Sequence, residues 1–269
     1  MTKIKEFIIS LWKLLRLPEM LILPGNLAFF LILSLAPIIT LFGVIASSLS
    51  LSTDAIQNFV GSSLPSSVVE ILNSFLNSGF NTGNIILIIV GFFVASNGPD
   101  SIITASNILY KNERKNYIYR RVKALFMTFW LILLFIFILI FMAFGSFILK
   151  YILDFGIIGE FISNHYSIIT VIKLVIAFCV IFMTIKIIYT LAPNTRIKSK
   201  FVNRGALFAT ISIMVLTTIY SFYVTNIAHY DIIYGSLSNI AILMMLIYFI
   251  SYIIVLGIAI NRNYYELDN

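Results

Sequence analysis

The sequence predicts an all-helical membrane protein that crosses the bilayer six times. Of its 269 residues, 60% are hydrophobic and only 11% are charged, whereas soluble domains carry about 25% charged residues. The mean hydropathy is +1.02, and several apolar runs reach the roughly 20 residues that a helix needs to cross a bilayer. A water-soluble globule of this length could not bury so much apolar surface. A soluble enzyme, a disordered chain and a disulfide-stapled secreted domain are therefore excluded.

The predicted organisation is a single polytopic domain, 1–269. Residues 1–20 have apolar positions at helical spacing with basic residues between them, which predicts an amphipathic helix lying on the bilayer surface. Residues 49–83 are polar, and two weakly amphipathic pieces there predict short helices on the outer face. Pro37 falls in the middle of the first span and is expected to kink it. The six predicted spans cover about residues 26–48, 84–108, 123–149, 168–191, 206–226 and 237–260.

The second span is unusual because its apolar part is too short to cross the membrane. The 11 residues Ile85 to Ala95 supply only about 16 Å of helix, so the polar residues that follow must lie at membrane depth. Gly98-Pro99 is expected to break or kink the helix there. Beyond it, polar residues recur at a spacing of three or four and share one helical face. This polar face consists of Asn97, Asp100, Thr104 and Asn107.

The distribution of Lys and Arg predicts that both termini face the cytoplasm. Fifteen of these residues fall in the N-terminal segment, the loops after the second and fourth spans and the C-terminal tail, whereas the three opposite loops contain only Lys150. Cytoplasmic loops collect positive charge in this way. The net charge of +7 is thus explained by topology, and no nucleic-acid partner is expected.

The polar face of the second span is the leading candidate site. Its Asn and Thr side chains can donate hydrogen bonds to an anionic head group. Ionised Asp100 cannot donate, so we expect it to pair with a cation such as Lys186. Lys186 and Arg196 would supply positive charge where a phosphate-bearing substrate enters, and Tyr189 closes the same end of the fourth span. This hypothesis requires the fourth span to pack beside the second.

A purely structural interpretation of the same residues stays open. The polar face can be a hydrogen-bonded seam between helices, with Asp100 at the cytoplasmic rim. Lys186 can snorkel to the interface, and Tyr189 and Arg196 can be an interfacial tyrosine and a solvated arginine. Under that interpretation none of these residues binds a ligand.

The sequence offers no place for enzymatic chemistry. Its two histidines, His165 and His229, fall in loops predicted to lie outside, and their spacing is not that of metal ligands. No nucleophile-elbow, Walker or dinucleotide-binding motif occurs. We therefore expect no catalytic residues, no metal site and no cofactor.

Six short motifs follow one another between about residues 20 and 262. Each is weak alone, but their order and spacing are specific as a set. They are Leu27-Ala28-Phe29 with Ser34-Leu35 and Pro37; Asn107 with Tyr110 and Arg114; Tyr189 with Pro193; Gly205-Ala206; Tyr223 with Tyr234-Gly235-Ser236-Leu237; and Leu256-Gly257 with Asn261. The set resembles the YihY/BrkB family of bacterial inner-membrane proteins.

That resemblance implies a multi-pass protein of the bacterial cytoplasmic membrane. Members of the family have carried the labels ribonuclease BN and virulence or serum-resistance factor, and some are linked to movement of lipids or lipid-linked envelope precursors. One departure is Ala259, where the family commonly has Glu.

The leading functional hypothesis is a transporter or flippase-like protein whose partner is a membrane lipid or lipid-phosphate. The alternative is a non-transporting envelope scaffold whose polar face only packs helices. Ribonuclease activity is not expected, because both histidines lie on the side without RNA. The sequence leaves open whether the chain forms a homo-oligomer.

Overall fold

The computed structural model describes residue 9 and residues 12–48, 85–113, 115–134, 166–226 and 238–268. Throughout this part of the chain the regular structure is helical and no strand occurs, as predicted. A helical turn at residues 12–15 precedes seven helices. They are α1, Glu19–Ser48; α2, Ile85–Ala95; α3, Asn97–Leu109; α4, described over residues 117–134; α5, Tyr166–Leu191; α6, Ser199–Asn226; and α7, Ser238–Asp268.

Among the described helices, three are long and apolar enough to cross a membrane. The qualifying segments are Leu174–Leu191 in α5, Ser199–Val224 in α6 and Ile240–Glu266 in α7, while Glu19–Leu35 in α1 is a shorter apolar stretch. Large hydrophobic side chains stand exposed on the outer faces of these helices and of α4. Because such a surface is unfavourable in water and suited to lipid, it agrees with the composition.

The buried core lies where α1, α3, α5, α6 and α7 converge. Leu27, Ile103, Val202 and Val255 are almost completely buried there. Helix α7 packs against both α6 and α1, α5 packs against α6, and α2 and α3 pack against α1. The core is nearest the end of the bundle where α3, α5 and α7 finish and α4 and α6 begin. We call this the basic end, because it carries Arg120, Arg121, Lys123, Arg204 and Arg262.

Two helices extend beyond their predicted spans at the basic end. Helix α6 begins at Ser199 rather than near 206, and α7 continues to Asp268 rather than ending near 260. The added turns are held by side-chain contacts between the two helices. The ring centroids of Phe201 and Tyr265 are 5.6 Å apart, and the Arg204 guanidinium lies 3.7 Å from the centre of the Tyr264 ring.

Other predictions fall on residues outside the described ranges. These are most of the N-terminal amphipathic helix, the short helices expected within residues 49–83, the later part of the third span and both histidines. Of the N-terminal segment, the described part includes the helical turn at 12–15, in which Leu14 is buried in the core. Helix α1 passes through Pro24 and Pro37 as a single element.

Candidate functional site

The second predicted span is interrupted, as expected, and the interruption lies just before Gly98-Pro99. Helix α2 ends at Ala95, Ser96 forms a turn, and α3 begins at Asn97. Gly98 and Pro99 therefore lie in the first turn of α3. Pro99 has no N–H to donate to the Ala95 carbonyl four residues earlier, so the proline contributes to the interruption that ends α2 at Ala95.

A serine from the first span satisfies the backbone at this interruption, which we call the helix break. The Gly98 N–H donates a hydrogen bond of 3.1 Å to Ser34 Oγ, and Ser34 Oγ in turn donates to the Phe30 carbonyl at 2.7 Å. Ser34 is fully buried. A Cβ on Gly98 would press against the Leu31 side chain, so glycine permits this close approach.

Arg121, from the start of α4, lies against the helix break. Its Nη1 donates to Asn97 Oδ1 at 2.8 Å and its Nη2 to the Phe93 carbonyl at 2.6 Å. The guanidinium carbon is 3.7 Å from the centre of the Phe93 ring. Arg121 is only 8% exposed, and its buried Nε has no hydrogen-bond partner among the described residues.

Arg121 lacks a carboxylate partner within the described part of the chain. The ion pairs found there join Asp100 with Arg120 and Glu266 with Arg262. A buried charge is expensive unless it is paired. The helix break therefore holds a positive charge that only neutral protein oxygens and an aromatic ring stabilise.

Asp100 pairs with a different cation from the one predicted. Its Oδ1 lies 2.8 Å from Nε of Arg120, in the first turn of α4. Lys186 is elsewhere: its ammonium lies 5.8 Å from the ring centre of Phe182, on its own helix. The expected pairing of Asp100 with Lys186 is corrected accordingly. Thr104, the next residue of the polar face, donates to the Asp100 carbonyl within α3.

Asn107 joins two connecting segments at the basic end. Its Oδ1 accepts hydrogen bonds from the Asn194 N–H at 2.8 Å and from Asn112 Nδ2 at 3.0 Å. Its Nδ2 donates to the Ile103 carbonyl. Both the oxygen and the nitrogen of its side-chain amide therefore form hydrogen bonds with other protein groups. Helix α3 therefore meets the segment that follows α5 at this point.

Lys123 ties the same connecting segment to α4. Its ammonium donates to the carbonyls of Ala192 and Pro193 at 2.9 and 2.7 Å. A cation bound to the last carbonyls of a helix also interacts favourably with the helix dipole. The end of α5 is therefore fixed to both α3 and α4.

The remaining predicted site residues do not join the polar face. Tyr189 is buried and donates from its hydroxyl to the Ile254 carbonyl of α7 at 2.8 Å. Arg196 is exposed in the connection between α5 and α6. Tyr110, just after α3, stays neutral because burial raises the pKa of its phenol, and nearby Tyr265 adds to the effect.

Tyr189 belongs to a second polar cluster, which we call the glycine crossing: Tyr189, Gly205, Gly257 and Asn261. The Gly205 N–H donates to Asn261 Oδ1 at 2.7 Å. A Cβ on Gly205 would overlap the Gly257 carbonyl oxygen, and one on Gly257 would overlap the Tyr189 hydroxyl. Helices α6 and α7 can approach this closely only because both positions are glycine. Ala259, where the sequence departs from the family pattern, is completely buried nearby in α7.

A small apolar crevice opens between α4 and α5. Its volume is about 20 Å³, and its lining includes Met127, Trp130, Thr184 and Leu191. Residues of the polar face do not line it. The described residues contain no group of three His, Cys, Asp or Glu side chains that could hold a metal ion.

Comparison with known proteins decides the family. Residues 19–268 match the family described as Virulence factor BrkB. The chain belongs to this family. Several residues of the motifs found in the sequence make tertiary contacts in this structure. Ser34 accepts the Gly98 N–H at the helix break, and Asn107 joins two connecting segments. The glycine crossing is formed by Tyr189, Gly205, Gly257 and Asn261.

Two relatives of this chain are similar to it over most of its length. The chain is 30% identical over 243 residues to the ribonuclease-like protein YfkH of Bacillus subtilis, covering 88% of this chain and 87% of that protein. It is 28% identical over 257 residues to a UPF0761 membrane protein of Aliivibrio salmonicida, covering 91% and 78%. No solved structure matches. Together these findings establish a bacterial-type membrane protein of the BrkB family.

The sequence did not reveal several residues that make specific contacts at or near the helix break. Arg120, Arg121 and Lys123 were counted only as positive charge beside the membrane, although each makes a specific contact. Ser34 was noted only as part of a motif. A signal was present for the two arginines, since the second span contains an acidic residue and amide groups that need partners at membrane depth.

Proposed function

We propose that the chain moves a lipid or a lipid-linked phosphate across the bacterial cytoplasmic membrane. It would do so as a six-span protein with both termini in the cytoplasm, so that the basic end faces the cytoplasm. The proposal assigns it no enzymatic step, no cofactor and no nucleic-acid partner. The uneven distribution of Lys and Arg in the sequence supports this orientation.

The observation that carries the proposal is the buried Arg121 at the helix break. A cation held by neutral oxygens, without a carboxylate among the described residues, is suited to an anion that comes and goes. A permanent carboxylate would neutralise it and is what a purely structural arginine usually has. An interrupted helix at membrane depth is also a recurring feature of transporter binding sites.

The experiment is lipid translocation by the purified full-length protein in proteoliposomes, measured as the accessibility of a fluorescent phospholipid to an external quencher. We expect Arg121→Met to lower the rate at least about tenfold, the equivalent of about 1.4 kcal/mol in the barrier. Asn97→Leu removes one acceptor of the same guanidinium and should lower the rate less. Arg121→Lys keeps the charge and should retain part of it.

Two variants serve as matched controls. Arg262→Met removes an arginine that is paired within its own helix to Glu266. Thr210→Val removes a buried hydroxyl that bonds only to the Ala206 carbonyl of its own helix. Both should translocate lipid at the parent rate. A parent protein without translocation, or an Arg121→Met variant that folds and translocates at the parent rate, contradicts the proposal.

The scaffold alternative is favoured by one observation. The Asn107 side chain is bound by protein on both sides, which is the pattern of a packing seam rather than of a ligand site. A scaffold predicts that no variant at the helix break affects translocation except by unfolding the protein. The same assay, combined with a thermal unfolding measurement of each variant, separates the two functions.

A further inference from the structure

We propose that Arg120 binds a phosphodiester head group carrying a single negative charge, and that Asp100 both orients this arginine and sets the charge of the accepted ligand. This inference rests on the proposed function, which it deepens by naming the substrate class. It follows from how the Arg120–Asp100 pair is built and from the charge balance at the helix break.

The pair leaves one side of the guanidinium available. Asp100 Oδ1 lies 2.8 Å from Nε of Arg120 and forms an ion pair with it, although the contact does not have the geometry of a hydrogen bond, and no described residue forms a hydrogen bond with either terminal amino group of Arg120. The side chain of Arg120 is 36% exposed and that of Asp100 is 18% exposed. The Tyr117 ring lies beside the guanidinium, with its centre 5.7 Å from the guanidinium carbon. The arginine is therefore held in position from one side and open on the other.

The open side has the geometry that phosphate recognition uses. The two terminal amino groups of arginine form a planar fork whose parallel N–H bonds match two oxygens of a phosphate or carboxylate. An arginine restrained by an ion pair on its Nε side and by the Tyr117 ring loses less rotational freedom when the fork binds a ligand than an unrestrained arginine does. Asp100 is thus a positioning residue, and Arg120 is the group that touches the ligand.

The charges at the helix break restrict the ligand further. Arg120 and Arg121 each carry a positive charge and Asp100 carries a negative one, so these three side chains have a net charge of about +1. Lys123 directs its ammonium to the Ala192 and Pro193 carbonyls instead. A ligand with one negative charge neutralises the site. A doubly charged monoester would leave an uncompensated negative charge in a partly buried setting, which is costly.

A zwitterionic head group is also disfavoured. Its phosphate would satisfy the fork, but its positively charged ammonium would lie near two arginines, and this repulsion between like charges is unfavourable. The carboxylate at the helix break, Asp100, is already paired with Arg120. The site therefore favours a phosphodiester lipid whose remaining head group is uncharged.

The test compares three short-chain lipids that bind to the purified full-length protein in detergent: phosphatidylglycerol, phosphatidic acid and phosphatidylcholine. They present a singly charged diester, a monoester with up to two negative charges, and a zwitterion. At pH 8, we expect the parent to bind phosphatidylglycerol at least about tenfold more tightly than either other lipid. Arg120→Gln should abolish this preference, and Arg120→Lys, which keeps the charge but loses the fork, should reduce it.

The decisive variant is Asp100→Asn, because it raises the net charge of the site by one. It should shift the ratio of phosphatidic acid to phosphatidylglycerol affinity about tenfold toward phosphatidic acid. A residue that only supports folding would not reverse a charge preference. Glu266→Gln, which removes the carboxylate of the Arg262 pair, is the matched control and should leave the ratio unchanged.

Equal affinity for the three lipids, or an unchanged ratio in Asp100→Asn, overturns the inference. These outcomes are distinguishable from failure of the proposed function. Translocation without head-group preference would retain transport and reject this site. Selective binding that depends on Arg120 and Asp100, in a protein that translocates none of the three lipids, would retain the site and reject transport.

Discussion

The helix break and the glycine crossing treat buried polar groups in opposite ways. At the glycine crossing, the Tyr189 hydroxyl donates to a backbone carbonyl, and the Asn261 side-chain oxygen accepts a hydrogen bond from a backbone N–H. Two glycines allow α6 and α7 to come into contact. At the helix break, Arg121 is held by neutral oxygens, and Asp100 pairs with Arg120. The first arrangement is neutral, although the buried Nδ2 of Asn261 has no hydrogen-bond partner among the described residues, whereas the second retains charge. Close packing of neutral groups stabilises the fold, whereas a site for a charged ligand requires a charge that the protein does not neutralise.

The largest expected effect is a loss of stability at the glycine crossing. In Gly205→Ala the new methyl group meets the Gly257 carbonyl oxygen and the Asn261 side chain, so α6 and α7 must separate. Overpacking of this kind costs about 3 kcal/mol, or roughly 6–12 °C in the unfolding midpoint at this chain length. The midpoint can be measured on detergent-purified protein by fluorescence-detected thermal unfolding.

Gly25→Ala is the control for that prediction. No heavy atom lies within 4 Å of a Cβ built on Gly25, and alanine is favoured over glycine in a helix by about 1 kcal/mol. Gly25→Ala should therefore unfold at the parent temperature or slightly above it. If both variants unfold together with the parent, the close approach of α6 and α7 is wrong.

An intermediate effect is expected at Asn107, near the C-terminal end of α3. Asn107→Leu leaves the Asn194 N–H without its acceptor and Asn112 Nδ2 with only Thr195 Oγ1, and a partly buried unsatisfied donor costs about 1–3 kcal/mol. Asn107→Asp keeps acceptor oxygens in the same place and should recover most of the lost stability. Thermal unfolding of both variants measures the difference. Equal midpoints for Asn107→Leu and the parent would mean that Asn107 does not join these segments.

The sequence predicted those parts of the fold that depend on local pattern. Helix α5, Tyr166–Leu191, lies close to the predicted span 168–191, because a continuous apolar run has clear ends. The interruption of the second span was also predicted, since 11 apolar residues cannot cross a bilayer. In these cases composition and periodicity alone carry the information.

The sequence could not predict features that depend on distant partners. The break at Ser96 is stabilised by a partner that the sequence does not reveal, since the Gly98 N–H donates to Ser34, 64 residues away in the chain. Asp100 pairs with Arg120 and not with Lys186, because the first turn of α4 lies beside the first turn of α3. The extra turns of α6 and α7 exist because aromatic and arginine side chains pack between them at the basic end. Each outcome is set by tertiary contact, which periodicity does not encode.

The smallest expected effect on stability is at Arg121. This prediction distinguishes most clearly between a ligand site at the helix break and a structural tie like those of the glycine crossing. Replacing a buried, unpaired cation by an apolar side chain of similar length is often neutral or stabilising, because the cost of desolvating the charge disappears. The Phe93 carbonyl keeps the Ser96 hydroxyl as a donor after the change, although Asn97 Oδ1 loses its partner. Arg121→Met should therefore unfold within about 1 kcal/mol of the parent, or roughly 2–4 °C. A fall as large as that of Gly205→Ala would show that Arg121 is a structural tie like the residues of the glycine crossing, and it would favour the scaffold. A nearly unchanged midpoint together with reduced lipid translocation would show instead that the charge is retained for a ligand.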